Sequence, residues 1–324
     1  MKVLVTGASG FLGGWLCKAL CEKGWEVHTL LRPTSDKSTL KDLNLHFHTG
    51  DVTDLDSFMR ASQGVEIVFH LAGLVSHTSK QLNPMQKVNV QGTAHAIEVC
   101  QAQKARLIHI SSVVAVGASK KPIVLNEQSP YDLSLSQIGY FHTKKQAEIL
   151  VQKACKEGKI TAAILNPSTI YGPGDMKKES RRVQLKVAQG RFPFYTSGGV
   201  SVVDVESVVS ACIKAVEKGR PGERYILSGE NISIKELFSL IAKANKMKPP
   251  FIHLNNFLLH SLSEIGTGLQ SLGFSFPIHR ESARLATLYH WFDHSKAKQE
   301  LDFTPMTAKQ AINNSLKWWQ QHIN

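Results

Sequence analysis

VLVTGASGFLGGWLCKALCEKG, Val3 to Gly24, carries three local patterns in a fixed order. A short apolar, β-branched run ends at Thr6, glycines follow at Gly7, Gly10 and Gly13, and WLCKALCEKG continues at helical spacing. A strand entering a helix through such a loop needs Gly7 for a tight turn. Gly10 lets backbone N–H groups approach a pyrophosphate, and Gly13 allows close helix packing. The helix N-terminus then faces the anion. A lone glycine pattern is weak, and an ordinary strand-to-helix turn is the competing reading. The order strand, loop, helix is what favours a dinucleotide.

Outward from this unit the same rhythm repeats. Strand-like runs occupy Lys2 to Thr6, Glu26 to Leu31, Leu45 to His48, Glu66 to Leu71, Arg106 to Ser111 and Thr161 to Asn166. The intervening Phe11 to Lys23, Val88 to Gln103 and Tyr140 to Lys156 place apolar residues at helical spacing. Strand alternating with helix predicts an α/β fold, a Rossmann doubly wound parallel sheet spanning residues 1–166. Beyond Asn166 glycine, proline and charge increase, with a strand-like Arg224 to Gly229 and a helix-like Ile232 to Lys246. Residues 167–324 therefore read mainly as a smaller C-terminal α/β substrate-binding lobe. Some later segments, about 202–228, are expected to return to the first domain.

Composition narrows the function classes. The chain has 324 residues, 42% hydrophobic and 20% charged, which is ordinary globular usage. Five scattered cysteines without a CxxC fit reduced thiols, so a cytoplasmic location is expected. A strand-like run starts almost at Met1, which does not read as a signal peptide. No window holds about eighteen uninterrupted apolar residues, so no transmembrane segment is expected. The net charge of +12 is spread along the chain without a helix-turn-helix, finger or RNP-like pattern. Nucleic acid is thus not an expected partner; an anionic cofactor or peripheral contact with an acidic membrane face accounts for the charge more economically. Fourteen histidines show no HExxH-type spacing, so no metal is expected, and His46 and His48 are read as sharing one strand face.

The end of the second strand bears on which dinucleotide binds. EVHTLLRPTSDKS places Arg32 where an acidic residue would accept from a ribose 2′-hydroxyl. A guanidinium pairs instead with a 2′-phosphate, with Ser35 and Lys37 assisting, so NADP(H) is preferred over NAD(H). A solvated basic turn is the alternative, since Asp36 is close by. In YFHTK, Tyr140 and Lys144 lie four residues apart on one helix face. An adjacent ammonium favours a phenolate, so Lys144 is expected to bring the Tyr140 pKa toward the working range.

TGASGFLG, GDVTD (Gly50 to Asp54), FHLAG (Phe69 to Gly73), NVQGT (Asn89 to Thr93), YFHTK, NPSTIYGPGD (Asn166 to Asp175) and VVDVESV (Val202 to Val208) occur in this order. Together they resemble the extended short-chain dehydrogenase/reductase family, or NAD-dependent epimerase/dehydratase superfamily, over almost the whole chain. VHTLLRPTSD is similar to the branch of dihydroflavonol 4-reductase-like and 3β-hydroxysteroid dehydrogenase-like proteins. The resemblance implies catalysis by Ser112, Tyr140 and Lys144, with Ser111 as the competitor for the serine role, facing the cofactor or capping the strand end. It also implies that Ser9, Phe11 and Leu12 join Gly7, Gly10 and Gly13 in the phosphate loop, and that Asp51 and Val52 meet the adenine. Leu71, Ala72, Gly73 and Asn89 complete the cofactor cleft. Tyr140 and Lys144 are implied at the ribose, and Asn166, Pro167 and Ile170 beside the nicotinamide.

Gly14 and Trp15 depart from the family's usual small-then-His pair, a change read as packing. Val116 stands where many sugar-nucleotide enzymes have tyrosine. The expected reaction is NADP(H)-dependent reduction of a ketone, or oxidation of a secondary alcohol, in a small or hydrophobic organic substrate. A nucleotide-sugar epimerase or dehydratase with tightly bound NAD(P) is the alternative. KKESRR, Lys177 to Arg182, reads as a solvated loop or as an anion holder through Arg181 or Arg182. Phe251 to Pro277 reads as core packing or as an apolar flap, and a homodimer is a family-level expectation.

Overall fold

The structure, a computed structural model, describes residues 1–76, 81–175, 179–259, 261, 263–264 and 280–322. Its strands up to residue 233 are, in chain order, β1 (Lys2–Thr6), β2 (Glu26–Leu31), β3 (His46–Thr49), β4 (Ile67–His70), β5 (Arg106–Ile110), β6 (Ala162–Pro167), β7 (Thr169–Tyr171), β8 (Phe194–Tyr195), β9 (Gly199–Asp204), β10 (Arg224–Leu227) and β11 (Glu230–Ser233). A seven-stranded sheet has the order β10-β6-β5-β4-β1-β2-β3, every pair parallel. This is the predicted Rossmann sheet, and the strand order reverses beside β1, the position where such sheets bind ligands.

A parallel sheet covered on both faces needs strands that are apolar on both sides. Val3 and Val5 of β1 face one core, with Leu16 and Leu20 of α1 (Phe11–Glu22) and Val208 and Cys212 of a later helix. Leu4 faces the other, with Phe58 of α2 (Leu55–Ala61). After the short α3 (Leu82–Met85), a wide helical turn (Gln86–Gln91) leads into α4 (Gly92–Gln103). Val99 of α4 and Val151 of α5 (Gly139–Lys156) join Leu4 in the second core. Register puts Thr6 opposite Leu30 and His70, and Ile110 opposite Leu165. Gly7, Arg32, Leu71 and Ser111 thus emerge along one edge, the carboxyl edge of the sheet.

The lobe built from later residues has its own sheet, in which β9 pairs with β7, β11 and the short Tyr289–His290 strand. α6 (Glu179–Ala188) packs against α8 (Ile234–Ala244), and α7 (Val205–Lys218) stands between the two in the chain. α8 begins with a capping box in which Ser233 and Glu236 each satisfy the other's backbone N–H. Leu237 and Ile241 of α8 meet Ile312, Leu316 and Trp319 of the final helix Ala308–His322. The chain crosses back to the large sheet after β9: α7 covers the first core and β10 pairs with β6. Val202 to Asp204 belong to the small sheet, so the returning stretch runs from Val205 to Leu227.

No helix among the described residues is long and apolar enough to cross a membrane. Of the apolar stretch 251–277, residues 260, 262 and 265–277 lie outside the described residues; Phe251 and Phe257 are 76% and 82% exposed. Glu26, His28 and His46 come together across β2 and β3, with ligand atoms within 4.8 Å of one another. His28 bonds His48 through Nδ1 and Glu26 through Nε2, both at 2.8 Å. Chain spacing alone hid this group, because strand pairing assembles it.

Candidate active site

The glycine loop has the shape its sequence requires. Gly7 adopts φ +72°, and a Cβ there would lie 2.8 Å from both Ala72 N and Leu71 C. At Gly13 a Cβ would stand 2.2 Å from the Gly7 carbonyl oxygen, so only glycine lets α1 approach β1 this closely. The turn closes through Gly10 N–H donating to Gly7 O at 3.0 Å. No side chain caps α1 at Gly10, and the amino end of a helix favours a negative charge. Ser9 lies within the same loop.

Around this cradle the other expected cofactor residues divide into two groups. Arg32 is exposed immediately after β2, and its carbonyl closes a turn with Ser35 N–H at 3.0 Å. Lys37 is exposed with Nζ 5.2 Å from the Phe47 ring centre. Asp51 Oδ1 accepts from Thr53 N–H and Oγ1–H at 2.8 Å each, shaping the turn beside Val52. Asn89 is more deeply engaged than a cofactor contact requires. Its Oδ1 accepts from Leu74 N–H at 2.7 Å, while Nδ2 donates to Leu74 O at 3.0 Å and Thr143 Oγ1 at 3.1 Å. Buried in the wide turn, it ties the loop bearing Leu71, Ala72 and Gly73 to α5.

Ser112, Tyr140 and Lys144 meet at the end of β5. Ser112 is extended and its Oγ accepts from Val114 N–H at 3.4 Å. It also shares a hydrogen bond with the Tyr140 phenol. Lys144 is 6% exposed, and Nζ donates to the Ile110 carbonyl at 2.9 Å. A Cβ on Gly73 would be at ordinary contact distance, 3.6 Å, from that Nζ, so the loop lies directly over the amine.

The electrostatics correct one expectation. Burial pushes the Tyr140 pKa up to about 12, with only the Ser112 bond pulling it back. Burial also lowers Lys144 to about 8, while Glu148 raises it. Desolvation outweighs attraction here because both groups are withdrawn from water. At neutral pH the phenol is therefore a protonated donor beside a mainly cationic amine.

Two further expectations change. Ser111 does not face the cleft: its Oγ donates to buried Glu148 at 2.8 Å. Asn166 is likewise fully buried, and Nδ2 donates to Glu148 at 2.8 Å and to the Ser112 carbonyl at 2.9 Å. Pro167 and Ile170 are both buried at the same edge. Glu148 was not singled out from the sequence, although its place one turn after Lys144 was a readable signal.

Arg181 is not an anion holder. It is 1% exposed, donates to Asp175 at 2.9 and 2.5 Å and to the Ile170 carbonyl at 2.8 Å, and covers the Tyr171 ring at 3.8 Å. A guanidinium so completely paired holds the lobe together, since breaking such a pair leaves a buried charge. Lys177 and Lys178 of the same run lie outside the described residues. Trp15 has a specific use, donating from Nε1 to the Pro173 carbonyl at 3.0 Å. Val116 is fully buried with Ile226 and Phe292. A cavity of 440 Å³ opens where Ala118, Leu135 and Gln137 meet Arg284 and Leu288 of the later lobe, next to the start of α5.

Comparison with known proteins agrees with this architecture. Residues 3–228 match the pattern of the NAD dependent epimerase/dehydratase family. A "Putative dihydroflavonol 4-reductase" of Synechocystis sp. is 30% identical, over 98% of this chain and 94% of that protein. "Sterol demethylase protein B" of Methylococcus capsulatus is 29% identical over 99% of each. The crystal structure of gox2253 has a TM-score of 0.88 at 33% identity, covering 99% of this chain and 98% of that one.

Proposed function

The chain belongs to the NAD dependent epimerase/dehydratase family and is an NAD(P)-dependent oxidoreductase of the extended short-chain dehydrogenase/reductase type; we propose that it uses NADP(H) to interconvert a ketone and a secondary alcohol in a hydrophobic organic substrate. The observation that carries this reading is the Tyr140 phenol hydrogen-bonded to Ser112, one helical turn from buried Lys144, at the carboxyl edge beside the glycine loop. The tight loop, in which a Cβ on Gly7 or Gly13 would collide with neighbouring backbone, fits a dinucleotide. Its pyrophosphate would be held by Gly7, Ser9, Gly10, Phe11, Leu12 and Gly13, its adenosine by Asp51 and Val52. Leu71, Ala72, Gly73, Tyr140, Lys144, Pro167 and Ile170 would bound the ribose and nicotinamide, with Asn89 supporting the loop from beneath. Arg32 and Lys37 at the end of β2 support the 2′-phosphate preference.

When bound, the nicotinamide supplies or accepts a hydride. Tyr140, protonated at neutral pH, gives its proton to the substrate oxygen in the reductive direction. Ser112 Oγ donates a hydrogen bond to the same oxygen and lowers the cost of the charge developing there. Lys144 holds positive charge beneath the phenol and opposes the negative charge left when the proton departs. The cavity near the start of α5, lined by apolar Ala118, Leu135 and Leu288 and by polar Lys120, Asp132 and Arg284, supports an organic substrate with both apolar and polar groups. The polycyclic compounds named in two relatives support the same class.

Purified protein should oxidise added NADPH faster than NADH with members of a panel of aryl and polycyclic ketones. Retention of NAD(P) through purification, with interconversion of a UDP-sugar and no net change in added cofactor, would replace this reading with the epimerase one.

A further inference from the structure

The catalytic helix carries a third polar residue on the face of Tyr140 and Lys144. Glu148 follows Lys144 by one turn and Tyr140 by two, and its side chain is fully buried. Its Oε2 accepts from Ser111 Oγ at 2.8 Å and from Asn166 Nδ2 at 2.8 Å. Asn166 Nδ2 in turn donates to the backbone carbonyl of Ser112 at 2.9 Å. The second oxygen, Oε1, lies 2.6 Å from Nη2 of Arg224, a side chain 11% exposed. One carboxylate thus joins α5, the end of β5, β6 and β10.

We propose that Glu148 is a positioning residue for the reaction: its buried carboxylate fixes Ser112 through Asn166 and supplies the counter-charge for Lys144, while Arg224 sets how much of that charge reaches the amine. The proposal rests on the functional reading above. The groups that face Lys144 make the assignment specific. His70 of β4 and His109 of β5 interact with Lys144, Tyr140 precedes it by one turn of α5, and Lys145 of α5 and Arg224 of β10 act on Glu148. Burial keeps both imidazoles neutral at working pH and Tyr140 protonated. Among these groups the anion acting on Lys144 is Glu148, which opposes the effect of burial on the amine. A buried carboxylate is costly unless it is compensated; here Oε2 accepts from the hydroxyl and the amide, and Oε1 is paired in charge with the Arg224 guanidinium.

A merely structural brace and a charge-setting residue differ in one measurable respect, the titration of Lys144. It can be followed in the full chain labelled with ε-¹³C-lysine, with the resonance assigned by its loss in Lys144→Arg. Glu148→Gln removes the anion but keeps an acceptor oxygen, so the Lys144 midpoint should fall by about 1 unit or more. Arg224→Gln removes the competing cation, so the midpoint should rise. Glu148→Asp, which keeps the charge, should move it less than Glu148→Gln. In a turning-over enzyme the alkaline limb of kcat/KM should move in the same directions. An unchanged midpoint in both glutamine variants, or a shift of the same sign in both, overturns the proposal. If Glu148→Gln does not fold, as judged by circular dichroism, the sign found in Arg224→Gln decides alone. The titration needs no substrate: absence of turnover across the ketone panel would count against the proposed reaction and leave the Lys144 midpoints to judge Glu148.

Discussion

Tyr140 illustrates how far a single residue can be read from its neighbours. Its spacing from Lys144 was legible because helical geometry places both on one face, but its protonation was not, because burial depends on everything packed around it. With the phenol raised to about 12, proton donation rather than proton abstraction is its resting competence at neutral pH. Tyr140→Phe should lower kcat by about 10²–10⁴-fold, the usual worth of a positioned acid. NADPH affinity, measured by fluorescence titration, should stay within about twofold if Tyr140 acts mainly in the proton step. Arg32 offers a second test at this scale. Loss of a charge-assisted bond costs about 1.5–3 kcal/mol, so Arg32→Ala should reduce the NADPH to NADH ratio of kcat/KM by about 10–100-fold. A ratio unmoved by the substitution would leave Arg32 as a solvated turn residue. Ser111 and Ser112 show the limit of reading from sequence: adjacent residues on an extended chain point oppositely, and only packing reveals that buried Glu148 takes Ser111.

Among the elements, the unit from β1 through the glycine loop into α1 was the most legible, because each requirement is local. The observed strands in the first 166 residues begin and end within a residue of the sequence reading, since an apolar run closed by a turn marks both ends. Helical spacing over Val88 to Gln103 did not reveal the wide turn at Gln86–Gln91, which exists to aim Asn89 at the loop after β4. Gly13 supplies the prediction here. Gly13→Ala would drive a methyl into the Gly7 carbonyl and Ala8 Cα, backbone atoms that cannot rotate aside. α1 must then move off β1, with an expected loss of about 1–3 kcal/mol in unfolding free energy. Calorimetry and NADPH titration of the same sample should show the two losses together.

Over the whole molecule, long-range charge was the least legible feature. Glu148 with Arg224, and His46 with Glu26 and His28, are brought together only by the completed fold. Buried histidines add a pH dependence to that fold. Desolvation holds His70 at about 3, against an ordinary value of 6.5, and pulls His109 well below its usual range. Between those values the unfolded chain binds more protons than the folded one, so stability rises with pH. The contribution of His70 is complete above pH 6.5 and declines as pH falls toward about 3. Urea unfolding across that interval should show a steady loss, and His70→Gln should make the slope shallower; an identical slope would assign the acid sensitivity elsewhere.

β10 lies at the outer margin of the large sheet yet comes from late in the chain, after the small sheet has already been entered and left. Chimeras exchanging recognition lobes among relatives therefore cannot use a single junction after Asn166. Such a cut would import a foreign margin strand and remove the native partner of Glu148. A workable exchange keeps Val205 to Leu227 with the host and swaps the stretches on either side, making the protein a three-splice scaffold rather than a head with a detachable tail.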